Sequence, residues 1–217
     1  MTRPKIVRET RRGIPETEPP GSRKLKPHQW FSTMEKELFE VRLRSSVPFD
    51  VYISSAAEKK VRDHAERYAA GRLEVLGFLL GEVCRWKGKM YTVVRDAATT
   101  ELRSSPSNVR FAPNAYPKLF HQLDGSGFDY IIVGWYHSHP GHTCFMSRTD
   151  VETQRASFRE PYHVALVIDP VTREVRTFRL TGEGCEETSF AIYAAEPRKS
   201  ADSPRRRKLR LKPVVAH

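Results

Sequence analysis

The sequence has few cysteines and no long apolar run. Cys84, Cys144 and Cys185 are its only cysteines, and their wide spacing does not match a zinc ribbon or a disulfide framework. No stretch approaches the about 18 consecutive apolar residues of a transmembrane helix, and no apolar segment of a signal peptide follows Arg11-Arg12. We therefore expect a soluble protein of the reducing cytoplasm, with no membrane partner.

The central part of the chain lacks the positive charge that both ends carry. Residues 1–27 have a net charge of +5 and residues 197–217 one of +7, which leaves residues 28–196 at −1 because the whole chain carries +11. A near-neutral centre argues against a broad nucleic-acid-binding face. The charge pattern predicts a flexible basic N-terminal tail over residues 1–45 and a disordered basic C-terminal tail over residues 197–217. Weak polyanion binding by these tails stays open.

Strand-like and helix-like patterns alternate along residues 46–196, which we predict to be one folded domain. The predicted strands cover 47–53, 73–83, 89–98, 130–139, 162–169 and 173–180, and the predicted helices cover 55–71, 113–125 and 147–158. Residues 98–112 show no sustained pattern and are predicted to form a long loop, although residues 99–105 could form a strand. This alternation predicts an α/β fold with a mixed sheet.

Two histidines end the apolar strand "YIIVGWYHSH". His137 and His139 are two apart and therefore share one strand face, and Pro140 ends the strand beside them. Ser147 and Asp150 are three apart and share one face of the next predicted helix. Two imidazoles and a carboxylate are a typical ligand set for catalytic zinc. Taken singly, the histidines could decorate a surface, Ser147 could cap the helix, and Asp150 could favour its first turn. The joint spacing favours a metal site.

A zinc hydrolase also needs a proton acceptor that is not itself a ligand. Glu74 is the candidate, because it interrupts an apolar segment in which an unpaired carboxylate is costly to bury. It could instead be a surface or salt-bridged residue of an edge strand. Glu82 is the rival acceptor, beside Gly81 at a predicted strand end. His142 and Cys144 are predicted to be ordinary loop residues, since the ligand set is complete without them.

Glu74 followed by "HSHP" and "SRTD" resembles the E…HxHPx(6)Sx(2)D signature of the JAMM metallopeptidases, the active MPN domains. The resemblance extends over roughly residues 48–182, through "EVLGFLLGE", "VGWYHSHPG", "TDVETQ" and "VALVIDP". It is greatest to the isopeptidases of the proteasome lid and the signalosome. The resemblance implies a JAMM/MPN+ catalytic domain at 46–196, with an MPN (cytidine-deaminase-like) three-layer α/β fold whose mixed central β-sheet is flanked by helices.

The same resemblance implies the chemistry of the site. His137, His139 and Asp150 would hold one zinc ion, Glu74 would be the general acid and base that activates the zinc-bound water, and Ser147 would stabilise the oxyanion. The implied reaction is hydrolysis of the isopeptide or peptide bond after the C-terminal glycine of ubiquitin or a ubiquitin-like protein. Residues 98–112 occupy the place where related enzymes clamp the ubiquitin tail by adding a strand, or they are only a connection.

Other functions and partners stay open at this point. The chain could be a non-catalytic module that binds a ubiquitin-like protein, or a scaffold anchored to nucleic acid by its tails. The PCxxC element of zinc nucleoside deaminases does not occur in the sequence. Lid and signalosome enzymes continue into C-terminal helices that bind a partner, whereas a basic segment begins here near residue 197. A homodimer, an MPN-type partner and action alone are therefore all open.

Overall fold

The computed structural model describes residues 13–45, 47–99, 102–105, 108–111 and 130–194. Its helices are α1 (Thr33–Arg44), α2 (Ser55–Ala69) and α3 (Arg148–Ser157). Its strands are β1 (Leu25–Lys26), β2 (Val51–Ser54), β3 (Leu76–Trp86), β4 (Lys89–Ala98), β5 (Leu102–Ser105), β6 (Asn108–Phe111), β7 (Ile131–Ser138), β8 (Val164–Asp169), β9 (Glu174–Leu180), β10 (Cys185–Thr188) and β11 (Phe190–Tyr193). The predicted helix at 113–125 and the predicted C-terminal tail lie outside the described residues.

Nine of the described strands form one mixed sheet, in the order β1-β11-β2-β4-β3-β7-β8-β9-β10. The pairs β11–β2, β2–β4 and β7–β8 are parallel, and the other neighbours are antiparallel. Helices flank this sheet, which confirms the predicted α/β fold with a mixed central sheet. None of the helices in the described part of the chain has the length and apolar composition needed to cross a membrane.

Side chains on opposite faces of the sheet enter different clusters of the core. Ile53 of β2 packs on the face that α2 covers with Val61, whereas Tyr52 packs on the other face with Phe39 of α1. All four side chains are at most 4% exposed. Burying one such side chain contributes about 1.5–3 kcal/mol to folding, so both helices are held mainly by their apolar faces.

A glycine lets β7 and β8 approach each other at the middle of the sheet. A Cβ added at Gly134 would lie 1.9 Å from the carbonyl oxygen of Val164, which no side chain can tolerate. Gly134 pairs in register with Val164 at the start of the parallel β7–β8 ladder. Glycine at this position therefore permits the pairing that fixes the strand carrying His137.

Residues 13–45 differ from the prediction of a flexible tail. They include α1, which begins with a capping box in which Ser32 and Glu35 satisfy each other's backbone N–H groups. Phe39 on the inner face of α1 is buried, and β1 adds to the sheet edge at β11. Basic composition masked these local signals, so this part of the prediction was wrong. The division of the chain into tails and one catalytic domain otherwise stays a prediction.

The predicted long loop at 98–112 contains regular structure. Strands β5 and β6 pair antiparallel within it, with Leu102 opposite Phe111 and Ser105 opposite Asn108. The loop prediction was therefore wrong for these residues, whereas the expectation that residues 99–105 could form a strand is met over 102–105. Alternation was too weak for the hairpin to be predicted, because "LRSS" contains one apolar residue.

Candidate metal centre

The two histidines lie at the C-terminal end of β7, between the neighbouring strands β3 and β8. His137 pairs in register with Leu76 of β3 on one side and with Val167 of β8 on the other. His139 follows the strand, and its N–H donates to the carbonyl oxygen of Ile168 at 3.0 Å. The histidines are only 2% and 5% exposed, respectively. Backbone pairing on both sides thus holds both rings in a buried, defined position.

The N-terminal cap of helix α3 positions the carboxylate of Asp150. The Oδ2 atom of Asp150 accepts a hydrogen bond from the N–H of Ser147 at 2.8 Å, and the Oγ atom of Ser147 accepts one from the N–H of Asp150 at 3.2 Å. The same Oδ2 lies 3.4 Å from Nε2 of His137 and 3.5 Å from Nε2 of His139. One carboxylate oxygen therefore faces both imidazoles.

These three side chains have the chemistry and the spacing of a metal site. Their ligand atoms all lie within 4.8 Å of one another, and no other such group of three or more occurs in the described ranges. Two ligands bound tetrahedrally to zinc at about 2.1 Å are separated by about 3.4 Å, as Asp150 and His137 are here. Buried Nε2 of His137 also has no hydrogen-bond partner among the described residues. The residues fit a zinc ion.

Electrostatics favours the metal-binding protonation states of His137 and Asp150. Burial lowers the pKa of His137 and outweighs the opposing effect of Asp150, so the ring is neutral at physiological pH. Burial would also lower the pKa of His139, but interactions with Asp150 and Glu74 raise it. Burial would raise the pKa of Asp150, yet His137 and His139 hold it well below its usual range. A metal ion therefore meets an ionised carboxylate.

Glu74 lies close to this group, two residues before β3 begins. Ser138 fixes the backbone there, because its Oγ accepts from the N–H of Val75 at 2.9 Å and its N–H donates to the carbonyl of Val75 at 2.9 Å. Burial raises the pKa of the Glu74 carboxyl to about 7, opposed by His139 and assisted by the negative charge of Asp150. A carboxyl that titrates near neutral pH is suited to both accept and donate a proton.

The other candidate residues lie in different surroundings. Glu82 is within β3, and its Oε1 accepts from Nε of Arg95 at 3.2 Å, so it is an ion-paired strand residue. His142 is exposed in the loop after His139. Cys144 is half-buried, and its thiol donates to the carbonyl of Val167 at 3.3 Å. Neither loop residue belongs to the metal-binding group found among the described residues.

Sequence reasoning missed the contacts that hold His137 and α3 together. The indole of Trp135 stacks on His137 with a centroid distance of 4.4 Å and an interplanar angle of 15°. Its Nε1 donates to Oε1 of fully buried Gln154 at 2.6 Å, and Nε2 of Gln154 donates to the carbonyl of Phe158 at 2.8 Å. Gln154 is four residues after Asp150, so helical spacing could have placed both on one face.

A second missed residue shapes the loop after His139. Asp169 ends β8, is fully buried, and uses its carboxylate to bind four backbone N–H groups. They belong to Gly141, Thr143, Val171 and Thr172, at 2.8–3.2 Å. Burial alone would raise the pKa of Asp169, but these hydrogen bonds lower it. The Asp-Pro dipeptide at a strand end is the signal in the sequence that marks this residue.

Residues 47–160, just over half of the chain, match the family model described as JAB1/Mov34/MPN/PAD-1 ubiquitin protease. This match includes Glu74, both histidines, Ser147 and Asp150. A nine-stranded mixed sheet with two buried histidines at the end of β7 and half-buried Asp150 beside them agrees with such a domain. The chain therefore belongs to the JAB/MPN family, as the JAMM signature in its sequence indicated.

Curated relatives support the same assignment. The chain is 37% identical over 128 residues to COP9 signalosome complex subunit 5 of Debaryomyces hansenii, covering 57% of this chain and 26% of that protein. It is 38% identical over 125 residues to the 26S proteasome non-ATPase regulatory subunit 14 of Dictyostelium discoideum, covering 56% and 39%. It is 34% identical over 162 residues to ubiquitin carboxyl-terminal hydrolase RPN11 of Saccharomyces cerevisiae, covering 70% and 49%.

These matches span less than half the length of the relatives, from 26% to 49%. Among solved structures, the chain is similar to the solution structure of protein DSY2949 from Desulfitobacterium hafniense. That likeness has a TM-score of 0.46 and 20% sequence identity, and covers 67% of this chain and 94% of that one.

Proposed function

We propose that this chain is a zinc-dependent isopeptidase or peptidase that hydrolyses the bond after the C-terminal glycine of ubiquitin or a ubiquitin-like protein. The observation that carries the proposal is the group formed by buried His137, buried His139 and half-buried Asp150, with the carboxyl of Glu74 beside it. A structural or purely binding domain has no need of a buried ligand set next to a carboxyl that titrates near pH 7. Family membership supplies the class of substrate.

One zinc ion per chain is proposed, held by His137, His139 and Asp150. Two histidines and one carboxylate are three protein ligands, which in catalytic zinc sites leaves the fourth position open. Zinc supplies Lewis acidity and makes a water nucleophile available near neutral pH. The chain supplies the positioning, because backbone pairing fixes His139, stacking on Trp135 fixes His137, and the capping box fixes Asp150.

Glu74 and Ser147 are proposed to act on the proton and on the developing charge. The Glu74 carboxylate accepts a proton from the nucleophile and later donates one to the leaving amine, which is efficient for a pKa near 7. Ser147 Oγ accepts from the N–H of Asp150, and its own hydroxyl hydrogen can donate to an oxyanion. A helix cap and an oxyanion donor are therefore compatible roles for Ser147.

The β5–β6 hairpin supports a mode of substrate binding. It forms a separate two-stranded sheet and pairs with no other strand in the described part of the chain. An unpaired strand edge presents backbone N–H and C=O groups to an extended peptide. We propose that the extended C-terminal tail of the substrate adds to this edge, with affinity from main-chain hydrogen bonds.

The partners of this chain are proposed from its relatives, and its cellular compartment remains a prediction. Two of the relatives above are named as subunits of the COP9 signalosome and the 26S proteasome, which suggests that this chain also acts within an assembly. Cytoplasmic location and weak polyanion binding by the basic ends stay predictions. A non-catalytic ubiquitin-like-binding module is the alternative function, and a nucleic-acid-anchored scaffold is another.

Cleavage of defined fusions tests the proposed function. We expect the purified chain with zinc to release the C-terminal partner from a ubiquitin-like fusion, with mass spectrometry placing the cut after the terminal Gly-Gly. Treatment with a chelator should stop cleavage, and added zinc should restore it, because the ligand set is the catalytic centre. Binding of every candidate ubiquitin-like protein without any cleavage would instead support the non-catalytic module.

A substitution at Gln154, which is not a proposed zinc ligand, tests the role of its contact with Trp135. Gln154→Met keeps the approximate side-chain size but leaves the indole N–H of Trp135 unpaired in a buried place. We expect a loss of about 1–3 kcal/mol in the free energy of unfolding of the zinc-free protein. We also expect a roughly 10–100-fold weaker zinc affinity, since outer contacts orient the ligand His137. Chelator competition measures the affinity.

Glu152→Met is the matched control for this prediction, because Glu152 is on the same helix but its side chain is 63% exposed. It should leave zinc affinity and stability nearly unchanged. Equal zinc affinities of Gln154→Met and the parent chain would show that the contact stabilises the fold without orienting His137.

A further inference from the structure

Helix α1 exposes an apolar stripe on its outer face. Met34, Leu38 and Val41 are 68%, 63% and 60% exposed, respectively. They are spaced four and three residues apart, which places them on one side of the helix. A surface helix ordinarily presents polar side chains on its outer face, so a continuous exposed apolar stripe indicates an interaction site.

The stripe cannot turn inward to join the core of its own chain. Phe39 on the opposite side of α1 is 4% exposed and packs against Phe49 with a centroid distance of 5.1 Å. The capping box at Ser32 fixes the start of the helix. Rotating α1 to bury Leu38 would expose Phe39, so the stripe is available to a second molecule.

Charged residues border the stripe on both sides, and the two sides differ in their ion pairs within the chain. On the inner side, Glu35 is paired with Arg176, and Arg42 lies 3.7 Å from Asp50. These charges are used within the chain. On the outer side, the exposed residues Glu37 and Arg44 flank the stripe and are one heptad apart, and Nε of Arg44 donates to the carbonyl oxygen of Glu40 at 3.2 Å within α1.

The order of the outer charges makes the stripe complementary to itself. With Met34, Leu38 and Val41 as the apolar seam positions of a heptad, Glu37 and Arg44 both fall at the flanking g position. When two copies of such a helix lie antiparallel, g positions face each other, so acidic Glu37 meets basic Arg44 twice. A parallel arrangement would direct Glu37 towards Arg42, which Asp50 already engages.

We propose that this stripe is a homodimer surface, on which α1 packs antiparallel against α1 of a second copy of the chain. Leu38 of each copy then lies against Val41 of the other, and two Glu37–Arg44 pairs close the outer edge. The two-fold axis makes the interface isologous, as in most small homodimers. Self-complementary charge order is the reason to choose a second copy over an unrelated partner.

Sedimentation equilibrium of the full chain over a range of concentrations tests the apolar seam. We expect a reversible monomer–dimer equilibrium that Val41→Glu shifts strongly to monomer, because two carboxylates would be buried at the seam. Val171→Glu is the matched control, since Val171 is 51% exposed in another part of the surface. A chain that stays monomeric at every concentration overturns the proposal, as does equal dimerisation of both variants.

A charge swap tests the antiparallel arrangement. Glu37→Arg and Arg44→Glu should each weaken dimerisation by roughly tenfold at low salt, because each replaces two favourable pairs with two like-charge contacts. The double variant should recover most of the parent affinity, since the pairs are restored with reversed sign. These differences should shrink at high salt. A double variant that dimerises less well than either single variant excludes this arrangement. Circular dichroism confirms that the helices remain folded.

Discussion

Replacing Glu74 by Gln is expected to lower turnover of a ubiquitin-like fusion by a factor of about 10² to 10⁴, the usual contribution of acid and base catalysis. Glutamine keeps the side-chain size but cannot accept the proton that a carboxylate with a pKa near 7 accepts. Zinc content should stay at about one per chain, because Glu74 is not one of the three proposed ligands. Substrate affinity should also persist, so the variant would act as a trap.

Glu82→Gln is the matched control for this experiment. The same substitution there removes one partner of the Glu82–Arg95 ion pair, away from the metal group, and should leave turnover nearly unchanged. Loss of zinc from Glu74→Gln would make Glu74 a ligand or a structural residue. Turnover equal to that of the parent chain would assign the proton transfer to another group.

Strand boundaries were predictable where a local turn defines them. The strand predicted at 89–98 is β4, Lys89–Ala98, and it begins after a turn at Lys87 and Gly88 with φ of 49° and 79°. Positive φ at both positions is typical of the two-residue hairpin turn that matches strand twist. The preceding strand was predicted at 73–83 but is β3, Leu76–Trp86, because its pairing with β4 continues up to that turn.

Helix α1 shows where composition misled the prediction. The excess of basic charge lies in residues 1–27, but the predicted tail ran to residue 45. The capping residues Ser32 and Glu35 are nevertheless visible in the sequence. The inner face of α1 carries a buried phenylalanine, but its outer face is apolar as well, so the usual amphipathic pattern is blurred. A surface used for association would produce this ambiguity.

The proximity of His137, His139 and Asp150 was predictable, because each half of this group depends on short-range geometry. A period of two places His137 and His139 on one face, and helical spacing places Ser147 and Asp150 on another. What joins the two halves depends on long-range packing. The Trp135–Gln154 hydrogen bond requires α3 to dock on β7, and the Asp169 contacts require β7 to pair with β8. Neither follows from sequence spacing.

Asp150 has two roles that separate substitutions can distinguish. Asp150→Ala removes both a proposed zinc ligand and the acceptor for the N–H of Ser147 at the start of α3. Asp150→Asn keeps an oxygen for the cap but removes the charge. We expect both variants to lose zinc on dialysis, whereas only the alanine variant should also lose about 0.5–2 kcal/mol of unfolding free energy in the zinc-free state.

His137→Ala is expected to lose both zinc and activity, because removing one of the three proposed protein ligands opens the site and leaves the Asp150 carboxylate with one imidazole instead of two. His142→Ala is the matched control: it removes an exposed imidazole from the loop beside the site while keeping the backbone hydrogen bond from residue 142 to His139. That control should retain about one zinc per chain and full turnover, since three protein ligands suffice for a catalytic site.

Metal analysis after dialysis gives the answer independently of any substrate. Stoichiometric zinc in His137→Ala would show that the ion is held elsewhere, and loss of zinc from His142→Ala would add the loop histidine to the ligands.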